Sequence, residues 1–133
     1  MKRSSIGLAL DALIVVAAFV ALSSCGFQKR LVAITIIPSG ANITGPGLVI
    51  NFKATGIYVH PPDSRDITDS VVWTSAAPQV IKIVSNTGVA TSGFDCGTNI
   101  TITATAYSDP QNNSGSVVVG TALVNVTQPG NCQ

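Results

Sequence analysis

The sequence predicts an all-β domain, an immunoglobulin-like antiparallel β-sandwich of about seven strands, preceded by a cleaved signal peptide. Three observations carry this. Hydrophobic residues recur with a period of two through nearly all of the chain after Cys25, the mark of half-buried strands. Clusters of Gly, Pro, Asn and Ser interrupt the pattern at short intervals, supplying the turns that such strands need. No window after Cys25 carries a helical apolar stripe.

The first element is the leader, residues 1–24. Lys2 and Arg3 form a basic start, and Ala12 to Leu22 is an apolar run of 11 residues. That length suits a signal h-region and falls short of the roughly 20 residues needed to span a bilayer. Asp11 marks the edge of the run, where a carboxylate can stay hydrated. The run closes on Leu22-Ser23-Ser24-Cys25, and with it the leader resembles a bacterial lipoprotein signal peptide. The resemblance implies cleavage between Ser24 and Cys25 and lipidation of the Cys25 thiol. Two or three acyl chains on that residue would anchor the protein stably, where one would not. A plain secretory signal with a nearby cysteine and an uncleaved anchor are the alternatives. The expected location is a bacterial cell envelope, on the periplasmic or surface face. Gly26, in place of an aspartate after the cysteine, points to the outer membrane by the enteric rule.

Residues 25–30 read as a lipidated linker. Its Lys29 and Arg30 could touch anionic headgroups, but they suit a solvated linker equally well. Removing residues 1–24 leaves 109 residues, enough for one domain with its own core. In that part five basic residues (Lys29, Arg30, Lys53, Arg65, Lys82) balance five aspartates (Asp63, Asp66, Asp69, Asp95, Asp109), and glutamate is absent from the chain. A surface this poor in charge lacks the clustered Lys and Arg of a nucleic-acid-binding protein.

The domain itself, residues 31–127, opens with Leu31 to Ile37, an alternating run stopped by Pro38. A second run places Leu48, Ile50, Phe52 and Ala54 on one face and Val49, Asn51, Lys53 and Thr55 on the other. Val71 to Thr74, Val80 to Val84 and Val89 to Thr91 are shorter strands, with Trp73 as the natural centre of the core. Asn99 to Tyr107 is the cleanest alternation, with Ile100, Ile102, Ala104 and Ala106 inward and Thr101, Thr103, Thr105 and Tyr107 outward. Val117 to Val126 is the last strand, and Gly120 within it reads as a bulge or bend. Residues 128–133 form a C-terminal tail.

The cysteine count is odd, which in an exported protein calls for an explanation. An acylated Cys25 leaves Cys96 and Cys132 to pair in an oxidising compartment. Two free thiols are the alternative; a metal site is disfavoured by a single histidine.

The order of features resembles the bacterial Ig-like group 2 family of surface proteins and adhesins. It is carried by Ile34-Thr35-Ile36-Ile37-Pro38, Phe52-Lys53-Ala54-Thr55 and the polar lead-in Arg65 to Ser70 before Val71-Val72-Trp73-Thr74-Ser75. Val80 to Val84, Thr87-Gly88-Val89-Ala90-Thr91 and Gly97 to Thr105 continue it. The resemblance spans Leu31 to Thr127 and implies an Ig-like fold and a role in interaction. A long loop after Tyr107 and a single domain in place of a tandem array depart from the family pattern.

Catalytic chemistry finds little support. His60 precedes Pro61 and Pro62 in a loop with no serine or cysteine partner at a recognisable spacing, and no cofactor or phosphate-binding motif is present. Asp63, Asp66 and Asp69 could supply oxygens to Ca²⁺, but Arg65 lies among them and no glycine allows a dedicated calcium loop. A solvated loop is the simpler reading, so no metal is assigned. Tyr58 and Tyr107 could stack on sugars, although tyrosine also suits sheet surfaces for packing reasons. Asn42-Ile43-Thr44 and Asn99-Ile100-Thr101 match the eukaryotic glycosylation pattern by chance. The expected function is therefore a lipid-anchored, non-catalytic binding or adhesion-type module that contacts an envelope or surface protein or a glycan. A structural accessory lipoprotein of an envelope or secretion assembly is the alternative.

Overall fold

The computed structural model describes residues 28–130 and Cys132. The expected leader, the expected cleavage site between Ser24 and Cys25 and the expected anchor at Cys25 lie outside the described residues. Ten strands and no helix make up the described chain. They are β1 (Arg30–Ile37), β2 (Gly40–Thr44), β3 (Val49–Asn51), β4 (Lys53–Val59), β5 (Asp63–Asp66), β6 (Val72–Ser75), β7 (Ile81–Ile83), β8 (Val89–Ser92), β9 (Gly97–Asp109) and β10 (Ser114–Thr127).

They form sheets of order β1-β4-β5, β2-β10-β9-β6 and β3-β8-β7. Every pairing is antiparallel except β2 with β10, which is parallel from Gly40↔Leu123 to Thr44↔Thr127. Ten strands replace the expected seven for two reasons. The run Leu48 to Thr55 divides at Phe52: β3 pairs with β8, while β4 pairs with β1 and β5. The two short sheets are thereby joined end to end through one residue. β2 and β5 are the other additions, because neither has the apolar alternation that reveals a strand.

All three sheets contribute to a single core. Trp73, Phe52, Leu31, Ile81, Ile102, Val124 and Val126 are its largest fully buried side chains. Trp73 sits at the centre as predicted, tilted against Phe52 with ring centroids 6.2 Å apart. Its Nε1 donates to the Thr68 carbonyl at 2.9 Å, so the one polar atom of the ring is satisfied where water cannot reach it. Gly88, at φ +70°, turns the chain beneath this ring, where a Cβ would stand 3.1 Å from it and 2.4 Å from the Phe52 carbonyl.

In β9, Ile100, Ile102 and Ala104 are buried and Ala106 is half-buried, as the alternation predicts. In β1 the inward residues are Leu31, Ile34 and Ile36, a set that simple alternation cannot give. A register shift between Leu31 and Ala33 changes the phase, since a bulge inserts one residue and moves the following side chains to the other face.

Gly120 is not a bulge. The β9–β10 register runs unbroken from Val117↔Tyr107 to Val124↔Ile100. Gly120 is instead the point of closest approach to β1, where a Cβ would stand 2.7 Å from the Ile34 carbonyl oxygen and 2.8 Å from its Cγ2. The expected long loop after Tyr107 is likewise replaced by a tight connection. Strand β9 runs on to Asp109, which pairs with Ser114 and accepts a hydrogen bond from Asn112 Nδ2 at 2.8 Å.

Candidate functional site

The sheet β2-β10-β9-β6 turns one face to the core and the other outward. Strand alternation sends Thr101, Thr103, Thr105 and Tyr107 of β9 outward, and the register sets Tyr107 beside Val117, Thr105 beside Val119 and Thr103 beside Thr121. β6 adds Val72 and Thr74 next to Thr105 and Thr103. At the other side Asn42 and Thr44 of β2 lie beside Asn125 and Thr127. Asn125 Nδ2 donates to Asn42 Oδ1 at 2.8 Å, and the Thr44 and Thr127 hydroxyls are 3.0 Å apart. None of these outward positions is Asp, Glu, Lys, Arg or His. The face is a field of threonine hydroxyls and amides with an apolar end.

At that end Val72, Tyr107 and Val117 are all well exposed and line a hollow of about 400 Å³, completed by Ser70, Pro110 and Asn113. The turn Pro110–Asn113 puts its polar groups at the rim, a layout in which apolar surface gives contact area and a few polar atoms give orientation. Tyr107, singled out in the sequence, belongs to this hollow. Val72 and Val117 carry no individual signal; their neighbourhood follows only from the register.

Tyr58 goes elsewhere. Its half-buried ring, on β4, packs against the core and lies under Lys29 Nζ, 5.4 Å from the centroid. Lys29 also makes an ion pair with Asp63, and Arg65 Nε donates to the same carboxylate at 2.6 Å. Hydrogen bonds from Lys29 and then Arg65 hold the Asp63 carboxyl down at about 2. The β5 strand thus ties the chain just before β1 to the body of the domain.

The three aspartates do not converge. Asp63 and Asp66 lie three residues apart on the strand β5, which puts their side chains on opposite faces. Asp66 accepts from Thr68 N at 2.9 Å, and its carboxyl is lowered by hydrogen bonds from Thr68. Asp66 and Asp69 line a separate hollow together with Lys53, whose charge competes with any cation there. Among the described residues no cluster of three His, Cys, Asp or Glu could hold a metal ion. His60 is exposed at the end of β4 with φ 60°.

Cys96 and Cys132 are brought together. Their side chains meet and their Cα atoms are 6.2 Å apart, within the range of a disulfide. Gln128 braces the same region, its Nε2 donating to the Gly93 carbonyl at 2.8 Å. The tail is held against the loop that follows β8.

No family model matches this chain. A search of curated proteins finds no relative either.

Proposed function

We propose that this chain is a lipid-anchored cell-envelope protein in which one bacterial Ig-like sandwich acts as a non-catalytic binding or adhesion-type module. The observation that carries the reading is the uncharged outer face of the β2-β10-β9-β6 sheet, with its hollow beside Tyr107. The apolar end offers contact area, and the hydroxyls and amides around it offer hydrogen bonds without charge. The face suits an uncharged ligand, a glycan or a protein surface, because no charge there must be desolvated on contact.

The topology supports the Ig-like part. The first strand pairs with β4 in one layer, and after Pro38 the chain crosses to pair in parallel with the last strand of the other layer. The leader supports the anchor, and an acylated Cys25 leaves Cys96 and Cys132 as a disulfide pair. The anchor matters to the binding: a domain held at a surface gains from effective concentration, so weak individual contacts suffice.

Two measurements test this. Labelled palmitate is expected on the wild-type chain and absent from Cys25→Ser; incorporation that survives the substitution refutes the anchor. On a glycan array and in pull-downs from envelope extract, specific binders are expected to be lost with Tyr107→Ala and Val117→Lys together. Binders indifferent to both substitutions refute the assignment of the face.

A further inference from the structure

Along one flank of the domain two strand edges run side by side with no ladder between them. β1 pairs only with β4, and β2 covers β10 only from Leu123 to Thr127. From Val117 to Ala122, β10 pairs with β9 on one side and, among the described residues, with no strand on the other, and β1 closes over it at Gly120. The row that β2 occupies therefore stops part-way along β10. Beyond its end lies a groove of about 580 Å³, walled by Arg30–Ile34 on one side and Ser116–Val119 on the other.

Three properties of the groove say what fits it. The first is backbone. Every second residue of a strand turns its N–H and C=O towards the free edge, and an extended chain satisfies them by adding a strand. β10 is the better template, because its register is unbroken from Val117 to Val124, whereas β1 is bulged between Leu31 and Ala33. Bulges are a known way of blunting an edge.

The second is an unsatisfied hydroxyl. Ser108 lines the groove, is only 3% exposed, and its Oγ has no hydrogen-bond partner. Gly115 presses on it so closely that a Cβ there would lie 2.3 Å from that oxygen. Buried polar atoms without partners are rare and call for an explanation; a polar group entering the groove supplies one.

The third is charge. Arg30 stands at the mouth and makes no ion pair among the described residues, while Lys29 and Arg65 both engage Asp63. Among the described residues no carboxylate lines the groove.

We propose that this flank is a strand-acceptor groove. An extended segment of a partner protein pairs with β10 along Ser116–Val119, in line with β2, and places an acidic side chain beside Arg30. The four residues of that edge span about 13 Å at roughly 3.3 Å per residue, so a short segment fills it. This site is separate from the outer face around Tyr107, and the ligand it takes is different in kind.

The test uses two probe peptides of about seven residues, alternating valine and serine, that differ only in a terminal aspartate or lysine. Each is titrated into the full chain in detergent micelles while amide hydrogen exchange is followed. The aspartate probe is expected to slow exchange of edge-facing amides between Ser116 and Val119 by about tenfold or more. It is also expected to bind about fivefold tighter than the lysine probe, with the order reversed in Arg30→Glu. Arg30 is exposed at the start of β1, and unchanged far-ultraviolet circular dichroism checks that the variant folds. Protection confined to other strands, equal affinity for the two probes, or no protection at millimolar probe overturns the proposal.

Discussion

A single methyl group added at Gly120 tests how closely β1 crosses β10. By local preference alone, alanine is better than glycine inside a strand by about 0.5–1 kcal/mol, so Gly120→Ala ought to stabilise. The structure reverses the sign. The new Cβ would stand 2.7 Å from the Ile34 carbonyl oxygen and 2.8 Å from Ile34 Cγ2, and the nearer obstacle is backbone, which cannot rotate away. Overpacking of this kind costs about 1–3 kcal/mol. Taking the middle of each range, subtracting the local gain leaves a net loss of about 1 kcal/mol, which lowers the melting temperature of a domain this size by roughly 4–8 °C.

Gly40 is the control. It too lies in a strand, but its added Cβ would meet nothing nearer than the Leu123 carbonyl oxygen at 3.7 Å, so Gly40→Ala is expected to be neutral or slightly stabilising. Urea unfolding under non-reducing conditions reads both variants as midpoint shifts at constant m. A Gly120→Ala chain as stable as the parent would falsify the close approach.

Two further predictions concern charge and covalent bracing. The Asp63 carboxyl is lowered to about 2, below the ordinary carboxylate range, so the stability it contributes is present above the unfolded value and is lost as pH falls towards 2. Urea midpoints between pH 4 and pH 2 should fall less steeply in Asp63→Asn than in the parent; identical slopes rule out the pair with Lys29 and Arg65 as the cause. Cys132→Ser opens a loop with a sequence separation of 36 residues. On the chain-entropy account it should cost about 4 kcal/mol at most. Intact-mass measurement with and without reductant checks the bond itself: no change in mass on alkylation without reduction is expected, and two labelled thiols contradict the pairing.

The parts of the fold legible in the sequence are those where one face meets the core and the other meets water. β9 is the clear example, since Ile100, Ile102 and Ala104 alternate with threonines and each goes where its polarity sends it. β5 has the sequence Asp-Ser-Arg-Asp with no apolar residue; backbone pairing to β4 and the ion pairs of Asp63 hold it, and neither leaves a periodic signal. β2 buries one large side chain, Ile43, too few for a period, and its parallel partner lies more than 80 residues on. The break at Phe52 is silent because the inward phase of Ile50, Phe52 and Ala54 continues across two sheets. Gly120 could be recognised as special, but a glycine that bends its own strand looks the same as one that admits a neighbour. At the surface, Tyr107 was visible as a residue, whereas its grouping with Val72 and Val117 depends on pairings between segments about 10 to 35 positions apart.

The parallel pairing of β2 with β10 continues the direction in which β1 passes over the same strand. Ile34 lies by Gly120, Gly40 by Leu123 and Thr44 by Thr127. The chain therefore enters at one pole and leaves at the other. Under the anchoring proposed for Cys25, the entry pole would face the membrane. The opposite pole, which holds Cys96, Cys132 and the almost bare ring of Phe94, would then stand farthest into the medium. A pull between that tip and such an anchor would run lengthwise along β1, β2 and β10, across ladders whose hydrogen bonds share the load side by side rather than opening one after another.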